Sequence, residues 1–199
     1  MNYGQKYVIG IDEVGRGCIA GPVAVGAVVC RTRRLPRRFY GIKDSKKLRP
    51  DEREQWFLQI CEARTEGLVD FAVSFSGQSI IDKKGIVYAI RTALNRAITK
   101  LPVKPEFSAV LLDGGLVAPP QFLRQKTIIK GDEKEPLIAA ASIVAKVVRD
   151  RKMVCLGREY PRYGFERHKG YGTRAHREAI QKHGTCPIHR ESFLSGLKT

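Results

Sequence analysis

Adjacent carboxylates at Asp12 and Glu13 close a short apolar run, Tyr7 to Ile11 (YVIGI). Two further apolar runs lead to an aspartate beside glycine: Ala109 to Leu112 (AVLL) reaches Asp113, and Thr127 to Ile129 reaches Lys130-Gly131-Asp132. Ligands in open α/β sheets gather outside the carboxyl ends of strands, so three neighbouring strands would bring Asp12, Glu13, Asp113 and Asp132 together. Each close carboxylate pair would repel by about 4 kcal/mol at 4 Å with an effective dielectric near 20. Such a cluster requires cations or protons. An all-oxygen site suits Mg2+ or Mn2+, and two such ions bridging a phosphate would activate water and stabilise the leaving oxygen of an in-line displacement. Asp beside Gly also marks turns and helix starts very often. The Asp12-Glu13 pair fits that reading less well, because it ends an apolar strand in a chain that is otherwise strongly basic. Strand alternation sends Asp12 and Glu13 to opposite faces, which predicts a turn or bulge there if both serve one site.

Other residues have the types and spacing of substrate contacts. Gly15-Arg16-Gly17 places a cation between two residues without side chains, which lets the backbone approach a ligand closely, although a plain turn would use the same glycines. Lys46 and Lys47, in Asp44-Ser45-Lys46-Lys47-Leu48, could hold phosphates or form a solvated turn. Ser142 shares a helical stripe with Lys146 and Asp150, and could face a phosphate or the helix interior. Tyr171 stands between glycines in HKGYGT, where its ring can stand clear to pack on a sugar, or can pin the C-terminal segment to the sheet.

The elements that must position these residues follow from periodicity. Val23 to Cys30 is a second strand and Asp70 to Phe75 a third. Pro50-Asp51 opens a helix containing Trp56, Phe57 and Ile60; a long helix is predicted over 79–100, and another from Pro136 to about Asp150. Strands joined first by short loops and later by helices imply an α/β fold with a mixed sheet. Beyond Tyr160 the composition turns basic and aromatic, which predicts a catalytic unit over 1–159 and a basic helical subdomain over 160–199.

The composition is that of a globular chain: 43% apolar, 8% aromatic and 28% charged over 199 residues. A formal charge of +16 points to a polyanionic partner such as nucleic acid. No apolar run is long enough for a membrane helix and no cleavage signal follows the start, so a cytoplasmic protein with no membrane partner is expected. The five cysteines are odd in number and form no CxxC pair, as free thiols in a reducing compartment would. His168, His176, His183 and His189 have spacings of 8, 7 and 6, which match no common zinc pattern.

The blocks GIDEVGRGCIAGPVAVGAV, DSKKL, LLDG, KGDEKEPLIAAASIVAKVVRDR, YGFERHKGYGT and HRESF, in that order, resemble bacterial ribonuclease HII. Cys18, where proline is frequent, and Glu135-Pro136 are the departures. The resemblance implies a ribonuclease H-like fold. It also implies an endoribonuclease that uses two divalent ions to cut 5′ of ribonucleotides in RNA-DNA hybrids and at single ribonucleotides in duplex DNA, leaving 3′-hydroxyl and 5′-phosphate ends. Motif by motif, it assigns Asp12, Glu13, Asp113 and Asp132 as catalytic metal ligands, Gly15, Arg16 and Gly17 to the 2′-hydroxyl, and Tyr171 to the RNA–DNA junction. Asp150, one helix beyond Asp132, competes for the fourth position; the strand-end rule favours Asp132. Eleven residues precede Asp12, fewer than the N-terminal domain of the related ribonuclease HIII type, so the HII type is expected. A monomer is expected, with the oligomeric state otherwise open. The rival readings are a non-catalytic nucleic-acid-binding protein and a DNA strand-transfer or junction nuclease on the same fold.

Overall fold

A computed structural model describes residues 6–31, 36–42, 45 and 47–194. Five strands form one mixed sheet: β1 (Tyr7–Val14), β2 (Val23–Cys30), β3 (Val69–Ser76), β4 (Ser108–Asp113) and β5 (Arg124–Ile128), in the order β3-β2-β1-β4-β5. β1 pairs antiparallel with β2 across a short loop, and β2 pairs antiparallel with β3. β4 and β5 run parallel to β1. The strands leading to Asp12, Asp113 and the Asp132 segment are therefore consecutive neighbours.

Helices cover both faces. α2 (Gln78–Lys84) and α3 (Ile86–Thr99) lie on one, where Ile90, Leu94 and Ile98 meet Ile9, Ile11 and Val25. α1 (Pro50–Thr65) and α5 (Pro136–Glu159) lie on the other, where Phe57 and Ile60 join Val28, Ala141 and Val144. The small residues of AAAS let α5 come very near the sheet: a Cβ on Gly26 would sit 2.4 Å from the Ala141 carbonyl oxygen. A larger residue at that position would force the helix and the sheet apart.

The structure departs from the periodicity at four places. The helix expected over 79–100 is two, broken at Gly85, whose φ of +83° is left-handed and ends α2. Its apolar repeat continues across the break, so spacing alone did not reveal it. α5 runs nine residues past Asp150 to Glu159, because Met153 and Gly157 are buried against the C-terminal segment. β5 begins at Arg124 and carries mostly exposed residues, as an edge strand does, so it lacks the apolar signal of the others. Asp132 is not at a strand end: β5 stops at Ile128, and Asp132 lies in the one-turn helix α4 (Gly131–Lys134).

After α5 come α6 (Phe165–His168) and α7 (Arg174–His183). Their core joins Tyr163, Phe165 and Ile188 to Met153 of α5 and to Ala20. The chain end is stitched back onto the loop after β1 by an Ala20–His189 bridge and by the Arg190 N–H on the Ile19 carbonyl (2.8 Å). Among the described residues no helix is long and apolar enough to cross a membrane, and none of the five cysteines forms a disulfide.

Candidate active site

Asp12, Glu13 and Asp113 each offer a carboxylate oxygen, and these atoms lie within 4.8 Å of one another. The register explains the meeting. Ile11 pairs with Leu112, so Asp12 and Asp113 are level on adjacent parallel strands. No bulge is needed for Glu13, contrary to expectation: the ladder to β2 is unbroken through Val14. Glu13 stands past the last β1–β4 pair, where its longer side chain reaches round to the same point.

Among the described residues, backbone donors and Arg16 contact the acids. The Glu13 N–H donates to Asp12 Oδ1 (2.7 Å), and Asp12 is 1% exposed. The Gly131 N–H donates to Asp113 Oδ1 (2.7 Å), which ties α4 to the end of β4. Asp132, the next residue, is buried beside that contact but stands outside the three-carboxylate group. Arg16 Nη1 donates to Glu13 Oε1 (3.2 Å). Burial pushes the Glu13 carboxyl above its ordinary value, Arg16 pulls it back, and the charge of Asp113 pushes it up again. Asp150 is elsewhere, on α5, paired with Lys146 Nζ at 2.9 Å and lining an open cavity with Arg53, Glu54 and Lys169.

The donor set is oxygen throughout, hard ligands that suit Mg2+ or Mn2+. Carboxylates this close repel one another, and a divalent ion held among them would offset that repulsion. The residues fit a metal centre.

The other residues expected at the site have varied surroundings. Gly15 has φ +88°, and a Cβ there would meet Arg149 Nε at 2.1 Å, so this glycine is required by close packing as well as by conformation. Gly17 faces open space, and Arg16 is exposed. Tyr171 is partly exposed, with Lys146 Nζ 5.5 Å from its ring centre and Cys18, Arg149 and Asp150 near its hydroxyl. Lys47 pairs with Glu133 (3.0 Å), which puts its ammonium one residue from Asp132. Lys46 lies outside the described residues. Ser142 does not face solvent as a direct phosphate contact would: it is 0% exposed, and its hydroxyl is 2.8 Å from that of buried Ser45. It supports the turn leading to Lys47, because the Ala-rich face of α5 is buried there.

Arg149 escaped the sequence reading, and Arg190, expected among the cations of the basic C-terminal segment, is instead fully buried, as is Arg149. Arg190 donates to the carbonyls of Gly15 (2.8 Å), Arg16 (2.9 Å) and Gly21 (2.9 Å). Burial pulls its pKa down to about 10, which still leaves it charged at neutral pH. The available signal for Arg149 was its helical spacing from Ser142 and Ala145, which sets a cation on a small-residue face.

Fold and site together define an α/β metal-dependent nuclease of the ribonuclease H type. The profile of the Ribonuclease HII family matches residues 9–195. Ribonuclease HII of Caldicellulosiruptor bescii is 43% identical over 197 residues, covering 99% of this chain and 91% of that protein. Two solved structures share the fold. Ribonuclease HII of Archaeoglobus fulgidus, solved in complex with PCNA, has a TM-score of 0.74 at 28% identity, covering 96% of this chain and 97% of that one. Ribonuclease H2 of Pyrococcus horikoshii OT3 has a TM-score of 0.70 at 25% identity with the same coverage. The chain belongs to the ribonuclease HII family and is an endoribonuclease with ribonuclease H activity on RNA-DNA substrates.

Proposed function

We propose that the protein hydrolyses the phosphodiester on the 5′ side of a ribonucleotide, both in RNA-DNA hybrids and at single ribonucleotides embedded in duplex DNA. The observation that carries this is the Asp12, Glu13 and Asp113 group beside the Gly15-Arg16-Gly17 loop in a chain of charge +16. Asp132 is the fourth carboxylate of this reading, supported by its place next to the Gly131 N–H that holds Asp113. Two divalent ions, Mg2+ or Mn2+, held by these acids would supply an activated water and offset charge on the leaving oxygen.

The remaining steps belong to the chain. Gly15, Arg16 and Gly17 bring backbone to the ribose, whose 2′-hydroxyl is the local mark of RNA. Tyr171 stacks on the deoxyribose that follows, where a sugar lacking the 2′-hydroxyl allows closer approach to a ring. Lys46 and Lys47 hold flanking phosphates, with Ser142 acting through Ser45. The basic residues after Tyr160 form a subdomain that tracks the backbone of the duplex. The phosphoryl bond to the upstream 3′ oxygen breaks as the bond to water oxygen forms, leaving a 3′-hydroxyl and a 5′-phosphate. Cysteines without disulfides fit action in the cytoplasm.

Cleavage of matched duplexes tests the reading. With Mg2+, a duplex carrying one ribonucleotide is cut and an all-DNA duplex is not; chelation stops cutting. Binding without cutting, or equal cutting of both duplexes, would contradict it.

A further inference from the structure

Arg190 and Arg149 are both fully buried but differ in what they join. All three carbonyls held by Arg190 belong to one loop, residues 15–21. Arg149 reaches two. Its Nε donates to the Pro22 carbonyl (2.9 Å) and its Nη2 to that of Ala20 (3.5 Å), while its Nη1 donates to the carbonyl of Lys169 (3.0 Å). The Nε side lies against Gly15, at the distance that excludes a Cβ. Lys169 is two residues before Tyr171.

The loop carrying Tyr171 is held on its far side by imidazoles. The Tyr171 N–H donates to the His168 carbonyl (2.9 Å), and the Gly170 N–H to His168 Nδ1 (3.2 Å). His176 Nδ1 contacts the Tyr171 carbonyl (2.8 Å), and its Nε2 is 3.1 Å from His189 Nε2. On the near side the Gly170 carbonyl accepts the N–H groups of Ile19 (2.9 Å) and Ala20 (3.2 Å). Arg149 is the side chain whose planar fork spans both loops, and a guanidinium holds several acceptors in one rigid plane where an ammonium is a point charge.

We propose that Arg149 is a positioning residue that fixes the spacing between the Gly15-Arg16-Gly17 loop and the Tyr171 loop, so that a ribonucleotide and the following deoxyribose are read at one set distance. This rests on the proposed junction reading and adds what sets its precision. A continuous RNA strand presents no such junction next to the scissile bond. It demands less of that spacing, and the Gly15-Arg16-Gly17 loop keeps its Arg190 contacts without Arg149.

The test compares Arg149→Lys with the unaltered full chain on a duplex with one ribonucleotide and on an RNA-DNA hybrid of the same sequence. The ratio of kcat/KM for single ribonucleotide over hybrid should fall by about tenfold, equivalent to about 1.4 kcal/mol. An unchanged ratio, or equal loss on both substrates, would overturn the proposal. Amide hydrogen exchange over residues 168–172 supplies a readout independent of activity, and Gly15→Ala supplies a second variant if Arg149→Lys does not fold. The new Cβ displaces the guanidinium from the opposite loop, so exchange over 168–172 should rise. Unaltered exchange there in a folded Gly15→Ala protein would refute the coupling. If the unaltered chain fails to cut a single ribonucleotide, the junction reading fails while the exchange measurement still decides the coupling.

Discussion

Asp113→Asn should leave the metal-free protein as stable as the native chain or more so, while removing its response to metal. Asp113 faces two carboxylates, Asp12 and Glu13, with ligand atoms within 4.8 Å. At that separation and an effective dielectric near 20, each pair repels by about 3.5 kcal/mol. Solvent screening at the partly exposed site lowers the relief to about 1 to 3 kcal/mol. An asparagine keeps an oxygen for the Gly131 N–H, so that hydrogen bond is retained. For a chain of this size each kcal/mol shifts the melting temperature by about 2 to 4 °C. The assay is thermal melting in chelator and in Mg2+ or Mn2+. In chelator the variant should melt at or above the native temperature; in metal the native chain should gain stability by mass action and the variant should not. A variant that melts lower than the native chain in chelator, or keeps the same gain in metal, would refute the electrostatic account of the cluster.

Asp132→Asn should reduce cleavage far more than Asp150→Asn, because Asp132 adjoins the Gly131–Asp113 contact and Asp150 is engaged by Lys146; the reverse order in folded variants would move the fourth ligand to α5. Burial lowers the His176 pKa from 6.5 to about 4, so the unfolded chain takes up a proton first as pH falls. Stability should be full above about pH 6.5 and decline towards pH 4 by no more than about 3 kcal/mol, and His176→Asn should flatten that decline in urea titrations at successive pH values. Tyr171→Ala should lower cleavage at a single ribonucleotide much more than it lowers the melting temperature; loss matched by unfolding would return Tyr171 to a structural role. Duplex affinity should fall steeply with salt, with a slope near −0.9 for about each phosphate neutralised, measured by titration at several salt concentrations.

The central strands and three of the acids were legible because a buried strand and a carboxylate at its end leave a local mark: VIGI before Asp12, AVLL before Asp113. Their convergence was not local. It depends on the Ile11–Leu112 register, which joins segments about a hundred residues apart and has no sequence signature of its own. β5 was mis-bounded for the opposite reason, since an exposed edge strand carries no apolar pattern. Ser142 illustrates a further limit: a helix stripe says which residues share a face but not whether that face meets solvent or another turn, here the one bearing Ser45. The burial of Arg149 and Arg190 was not legible because buried arginines are rare, and their carbonyl partners come from loops whose paths no spacing predicts.

Product-end analysis on a duplex with one ribonucleotide tests the central claim most directly. Cleavage in Mg2+ should give an upstream fragment ending in a 3′-hydroxyl and a downstream fragment that begins with the ribonucleotide and bears a 5′-phosphate, both identifiable by mass. A 2′,3′-cyclic phosphate would show that the ribose hydroxyl, not water, attacked, and would contradict hydrolysis at the Asp12, Glu13 and Asp113 cluster.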